Sequence, residues 1–232
     1  VPETESTGTL QLAPVAGRPL PPFSPGQFLT VFVNIDGVTT SRPYSISSPP
    51  GRPYYEITVR RKAGGFVSPY LLDGVQAGDR LSVTEPLGTF CFDSLHGDRP
   101  LVFLAGGSGI TPFASYIRHA AEKGLPRPVH LIYGSRDPED VIFGSEIEAL
   151  AAKNPRIRVD IVISEPPAGW RGLAGFLDAA MISSRVGPVA GKDFFVAGPP
   201  EMHALIEGAL RSLGVPARHV SREVFGPPVD VS

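Results

Sequence analysis

Short runs in which apolar and polar residues alternate occupy the first ninety or so residues: Thr9 to Leu12, Gln27 to Asn34, Tyr55 to Arg61 and Asp79 to Glu85. A period of two marks a strand with one buried face, and the dense proline and glycine between the runs supply turns. The pattern predicts a small antiparallel β-barrel. From Leu101 onward the rhythm changes to apolar runs followed by helical stretches. The runs are Leu101 to Ala105, Val129 to Tyr133, Val159 to Ile163, Phe194 to Ala197 and His219 to Phe225. Strands alternating with helices predict a doubly wound α/β domain with a parallel five-stranded sheet. Thr111-Pro112, Asp137-Pro138 and Gly198-Pro199 put proline where the first helical turn needs no amide donor, and Gly124 and Gly214 mark helix ends. Asp93 to Asp98 interrupts both patterns, so the two domains are expected over 1–95 and 96–226, with 227–232 a tail or the start of a linker.

Composition narrows the function classes. The 21 basic and 23 acidic residues leave a net charge of -2, which gives no reason to expect nucleic acid or an anionic membrane surface as the main partner. A single cysteine, Cys91, excludes within this chain a disulfide framework and any cysteine-ligated iron-sulfur cluster or zinc site. Electrons carried here require an organic cofactor. No apolar run approaches the roughly 20 residues of a membrane span, and Val1-Pro2-Glu3-Thr4 is no signal peptide. The expectation is a cytoplasmic protein, or a trimmed piece of one, given the missing initiator Met.

Two stretches carry the chemistry. Arg42-Pro43-Tyr44-Ser45-Ile46-Ser47 puts a cation, an aromatic face and a hydroxyl together in strand-forming sequence, which suits a planar, phosphorylated ring. Gly106-Gly107-Ser108-Gly109-Ile110-Thr111-Pro112 is a glycine loop between an apolar strand and a helix, which suits a dinucleotide pyrophosphate or serves only as a tight turn. In a doubly wound sheet the ligand lies beyond the carboxyl ends of the strands where their order reverses, commonly between the first and fourth. The loops leaving those strands are Gly106 to Thr111 and Gly198-Pro199-Pro200-Glu201-Met202. A second glycine turn, Gly64-Gly65-Phe66-Val67-Ser68, can offer amides to a phosphate at the start of a short helix.

With Ile57-Thr58-Val59-Arg60, Gly88-Thr89-Phe90, Tyr133-Gly134-Ser135-Arg136 and Glu223-Val224-Phe225, these segments resemble, in order and over essentially the whole chain, the ferredoxin-NADP reductase superfamily. The resemblance is closer to its NADH-dependent bacterial oxygenase reductases and flavohaemoglobin reductase modules. It implies that Tyr44 packs on the flavin, that Arg42 meets its phosphates and that Ser45 hydrogen-bonds near the reactive ring nitrogen. Pro43, Thr58 and Val59 complete the flavin side. Arg60 and the amides from Gly65 to Ser68, after Gly64 and through Phe66 and Val67, hold a pyrophosphate, which points to FAD over FMN. Gly107, Gly109, Thr111, Pro112, Ser135, Arg136, Gly198, Pro199, Pro200 and Met202 seat the nicotinamide nucleotide, and Phe225 covers the flavin face. Ser45, Thr111, Glu223 and Phe225 are the candidate catalytic positions, with Glu223 either a proton relay or a salt-bridged strand end.

Three departures from the family pattern matter. Ala197 stands where many relatives have cysteine beside the hydride path. Glu165 stands where NADP-specific relatives place arginine, which favours NADH, although Arg136 and Arg171 offer cations to a 2′-phosphate. Gly226 to Ser232 follows the terminal aromatic, and an appended ferredoxin-like domain is one continuation. Hydride from NADH to FAD, then single electrons to an iron-sulfur or haem acceptor protein, is the expected activity. A free-flavin or ferric reductase, and a cofactor-binding subunit without turnover, remain as alternatives. Cys91 reads as a small buried residue or a neighbour of the flavin, Trp170 as a flank for adenine or a loop anchor, and the five histidines as surface or packing residues.

Overall fold

The computed structural model describes residues 1–15, 18–92 and 98–225. The expected boundary between residues 95 and 96 and the tail at 227–232 lie outside these described residues. The first half forms β1 (Pro2–Thr4), β2 (Thr7–Leu12), β3 (Phe28–Ile35), β4 (Val38–Ser45), β5 (Tyr55–Arg60) and β6 (Ser82–Val83). They pair antiparallel in two three-stranded sheets, ordered β1-β2-β5 and β4-β3-β6, which meet at the bridge between Ile46 and Ile57. Leu29, Val31, Ile46, Ile57, Val59 and Leu71 fill the space between the sheets. The alternation in β3 works as read, with Leu29, Val31 and Val33 inside.

Two details differ from the pattern. The run from Asp79 shortens to β6 because the Asp79 carboxylate accepts the Gln76 amide at 2.8 Å and ties those residues into a turn. The whole of β4 was not marked by alternation, since most of its residues are exposed or half-buried on both faces; its pairing with β3 over eight residues makes it a strand.

The second half builds β7 (Leu101–Gly106), α2 (Ile110–Lys123), β8 (Val129–Ser135), α3 (Gly144–Lys153), β9 (Ile157–Ile163), β10 (Leu173–Ala174), α4 (Ala179–Val186), β11 (Asp193–Gly198), α5 (Pro200–Ser212) and β12 (Val220–Val224); the single-turn α1 (Val67–Pro69) belongs to the first half. The sheet runs β10-β9-β8-β7-β11-β12, all parallel. It therefore has six strands where five were expected. The sixth, β10, is only two residues long, too short to leave a periodic signature. Strand order reverses between β7 and β11, as the fold rule requires.

Helix boundaries follow their local chemistry. Gly124 closes α2 in the left-handed conformation at φ 61°, where a β-carbon would be penalised. The Asp178 carboxylate caps α4 by accepting the Met181 amide at 2.8 Å.

The core on the α2 and α3 face of the sheet is shared between the halves. Phe90 and Phe92, from the end of the barrel segment, join Phe103, Phe113, Tyr116 and Phe195 in one aromatic cluster. The buried Arg127 side chain then ties the connection down, donating to the carbonyls of Phe92 at 2.7 Å and Arg99 at 2.5 Å and to Asp193 at 3.0 Å. Among the described residues no helix is long and apolar enough to cross a membrane.

Candidate flavin and nucleotide sites

Parallel pairing sets the carboxyl ends of three strands side by side. Ala105 is opposite Ala197, and Ala197 is opposite Glu223. The Gly106 to Thr111 loop and the Gly198 to Met202 loop thus leave adjacent strands at the reversal. A β-carbon on Gly109 would lie 2.1 Å from the Ala197 carbonyl oxygen, one on Gly106 2.2 Å from the Met202 sulfur, and one on Gly198 2.6 Å from the Met202 methyl. Gly109 is required by the contact of the two loops, because its neighbour there is backbone, while Gly106 and Gly198 lie against the flexible end of the Met202 side chain in the same loop-on-loop contact. That is a reason distinct from the approach of a ligand on which the sequence reading relied. Gly107 is different: its φ is 52°, its carbonyl accepts the Tyr133 hydroxyl at 3.0 Å, and an added β-carbon would lie 2.9 Å from the Arg60 guanidinium.

A cavity of about 520 Å³ opens over these loops, within the size range of cofactor sites. Gly107, Ser135, Arg136, Pro199 and Met202 line it, as do Arg60, Ser164 and Phe176. The Ser135 hydroxyl is buried and has no partner among the described residues. Thr111 is buried in the first turn of α2 and donates its hydroxyl to the Ser108 carbonyl at 2.9 Å; Pro112 is buried beside it, and Pro200 opens α5. Arg136 pairs with Asp137 at 3.2 Å and Asp140 at 3.6 Å, and the Glu165 amide bonds to its carbonyl at 2.8 Å.

Arg60 reaches across the halves. Its guanidinium meets the Asp140 carboxylate at 2.5 Å, in a cleft bordered by the glycine loop. The Gly64 to Ser68 turn closes on itself, with the Gly65 amide donated to the Lys62 carbonyl at 2.8 Å and the Ser68 hydroxyl accepting the Lys62 amide at 2.9 Å. Gly64 has φ 66°, Phe66 is exposed, and Val67 is buried in the barrel core. The Val59 side chain is fully buried, and the Thr58 hydroxyl is bonded to Thr9 at 2.9 Å and Ser47 at 3.0 Å, so both side chains serve the barrel interior.

The first motif lies along β4. Arg42 and Tyr44 point to one side of the strand and Pro43 to the other. Arg42 is exposed and donates to the Thr40 hydroxyl at 3.1 Å and the Ser41 carbonyl at 2.6 Å. Tyr44 is half-buried, and desolvation pushes its phenol up to about 12, against the pull of Arg42. Ser45, buried at the end of β4, faces the carboxyl of Glu223 on β12 closely enough to favour its ionised form. Two candidate catalytic positions from opposite ends of the chain thus meet. Burial pushes the Glu223 carboxyl up to about 7, Ser45 opposing, and Glu223 Oε2 is buried without a partner among the described residues. No cation pairs with it there, unlike a salt-bridged strand end. Phe225 donates its amide to the Gly198 carbonyl at 2.8 Å and packs its ring on the shared core.

Sequence reasoning missed Asp140, Ser164 and Phe176. Phe176 is 66% exposed in a Gly-Phe-Leu stretch that looks like an ordinary loop, and only β10 and its turn bring it to the cavity. Trp170 packs on Gly172 and donates to the Leu173 carbonyl at 3.1 Å, the arrangement of a loop anchor. Cys91 is half-buried. His130, His203 and His219 bond Asp160, the Glu223 carbonyl and Asp193, and no metal-binding group of His, Cys, Asp and Glu occurs among the described residues.

Residues 20–92 match the family described as Oxidoreductase FAD-binding domain, and residues 103–207 match Oxidoreductase NAD-binding domain. The chain is 35% identical over 214 residues to the glycine betaine monooxygenase reductase subunit of Chromohalobacter salexigens, covering 90% of this chain and 58% of that protein. It thus spans a little over half the length of that relative. Among solved structures, the flavohaem-like FAD/NAD-binding domain of nitric oxide dioxygenase from Vibrio cholerae superposes with a TM-score of 0.88 at 25% identity, over 97% of this chain and 94% of that one. A cytochrome P450 reductase from Amycolatopsis gives 0.86 at 28%, over 98% and 67%. With an FAD-binding domain followed by an NAD-binding domain, and with these relatives, the chain belongs to the ferredoxin-NADP reductase superfamily.

Proposed function

We propose that this chain oxidises NADH with FAD and delivers the electrons singly to an iron-sulfur or haem acceptor protein, as the reductase of an electron-transfer chain. The observation that carries the reading is the meeting of Ser45 and Glu223 beside the two interlocked loops, because it joins the flavin motif of one half to the nucleotide loops of the other. The residues present fit both groups. Ser135 Oγ and Glu223 Oε2 are buried polar atoms without protein partners among the described residues, and the cavity has the size for a dinucleotide. FAD, when bound, supplies the conversion of a hydride into two single-electron steps.

The chain's own residues do the binding and positioning. Arg42 holds phosphate by charge-assisted hydrogen bonds, and Tyr44 offers its half-buried ring as a stacking face. Arg60, at the cleft between the halves, and the first-turn amides of α1 hold the pyrophosphate. Gly107, Ser135, Pro199 and Met202 shape the nucleotide seat, and Thr111 with Pro112 fixes the start of α2 beneath it. Phe225 excludes water from the face it covers. Glu223 keeps a proton near neutral pH at a carboxyl aimed at Ser45. Glu165, whose amide bonds the Arg136 carbonyl, brings a carboxylate to the side of the cavity where a 2′-phosphate would lie, which supports NADH over NADPH.

An anaerobic titration of the purified chain tests this. The released cofactor should be FAD by mass, and NADH should bleach its absorbance far faster than NADPH. Bound flavin that stays oxidised under both nucleotides would replace the reading with that of a cofactor-binding subunit.

A further inference from the structure

Helix α2 begins at the glycine loop and then runs along the barrel. Three of its polar side chains, Ser115, Arg118 and Glu122, recur at helical spacing on one face, in a helix whose first eight residues are all buried. All three meet one segment of the barrel, the residues that follow Ser45. Ser115, fully buried, donates its hydroxyl to the Ser48 carbonyl at 2.7 Å. Arg118 donates to the Ser47 carbonyl at 2.7 Å, and Glu122 pairs with Arg52.

The guanidinium of Arg118 is held from every side. Its side chain is 11% exposed, takes both oxygens of Glu146 at 2.7 and 2.6 Å, lies 3.3 Å from Glu56 and sits 4.3 Å above the Phe143 ring. The barrel segment is equally fixed, since the Ser47 amide bonds the Glu56 carbonyl at 2.8 Å and the Ser48 hydroxyl accepts the Glu56 amide at 3.1 Å.

We propose that Ser115 and Arg118 are positioning residues that set the register between the two cofactor-binding halves, by locking α2 to the carbonyls of Ser48 and Ser47. This rests on the reductase reading above. Ser45 and Ser47 are two residues apart on one extended segment, and Thr111 and Ser115 are one turn apart on one rigid helix, about 6 Å by the helical rise. The hydrogen bonds at 47 and 48 are therefore a short structural route from the flavin side to the nicotinamide loop. The covalent connection through Phe92 and Arg99 enters at the opposite, amino end of β7, so the front of the cleft is held by these contacts together with the Arg60–Asp140 pair. Hydride transfer needs two rings placed with tolerances below an ångström, so a small shift of α2 acts on the rate more than on binding.

The test compares S115A, R118A and the conservative R118K with the parent holoprotein by anaerobic stopped flow over a range of NADH concentrations. The limiting rate of flavin reduction should fall about 10- to 100-fold in R118A, less in S115A, and recover in part in R118K, with the NADH concentration at half-saturation and the retained flavin unchanged. The charge-transfer absorbance after reduction should weaken in parallel. A second readout needs no turnover: spin labels on T39C and E148C in a C91S background should give a narrow distance distribution that broadens in S115A and R118A.

Limiting rates within twofold of the parent, or an effect confined to half-saturation or flavin loss, would overturn the proposal, as would an unchanged distance distribution. If R118A fails to fold, S115A and R118K carry the test. If the parent chain is not reduced by NADH at all, the reductase reading fails while the distance measurement still decides whether the lock exists.

Discussion

Glu223 is the residue whose chemistry the tertiary structure alters most. A carboxyl raised in the folded state binds a proton that the unfolded chain has already released between roughly pH 4.3 and about 7, so its contribution lowers stability as pH rises through that window. E223Q should remove this loss. Measured by denaturant unfolding, the parent should lose on the order of 1–3 kcal/mol relative to E223Q between pH 4.5 and pH 7.5. Arg42 makes only exposed local bonds, so R42A should leave the fold intact and act on the flavin. A charge-assisted phosphate contact is worth about 1.5–3 kcal/mol, so the apparent Kd for flavin, followed by fluorescence, should rise roughly 10- to 100-fold in R42A.

At the scale of elements, the interlocked loops decide the nucleotide site. The β-carbon of G109A would fall on the Ala197 carbonyl, a backbone atom that cannot rotate away, so β11 and the start of α2 must separate. The expected cost is about 1–3 kcal/mol of stability. NADH affinity, followed by titration, should fall at least about tenfold while flavin content is spared. Loss of both cofactors together would show that the loops and the flavin motif are one unit. Strands behaved as their patterns required where one face was buried, as in β3. Part of β4 was legible only through the strand-forming run from Arg42, its first residues carrying no alternation, and β10 escaped reading because it is two residues long.

At the scale of the whole molecule, the halves share a core. Phe92 is 2% exposed and lies 4.9 to 5.7 Å, centroid to centroid, from Phe103, Phe195, Tyr116, Phe90 and Phe113. F92A should cost about 3–5 kcal/mol and lower Tm by on the order of 10 °C. Calorimetry of the parent should show one transition, and in F92A it should split in two, because the mutation removes a ring packed between the halves. An unsplit transition at a nearly unchanged Tm would mean that the aromatic cluster does not couple them.

The amino-acid sequence by itself determined what is local: which runs form strands with one wet face, that Pro200 opens α5 and Gly124 and Gly214 follow helix ends, which loops lie at the reversal of the sheet, and the family whose motifs it carries. These are legible because backbone conformation and burial periodicity are written in neighbouring residues. The Asp137-Pro138 start gives only a three-residue turn, and α3 begins later, at Gly144. Only the tertiary structure decided the rest. It brought Ser45 to Glu223, sent Arg60 to Asp140 across the cleft, placed Phe176 at the cavity and assigned Gly106, Gly109 and Gly198 to loop-on-loop contact. No local signal encodes such pairings, because each depends on how two separately patterned halves pack, and a carboxyl acquires its proton affinity from the burial that packing creates.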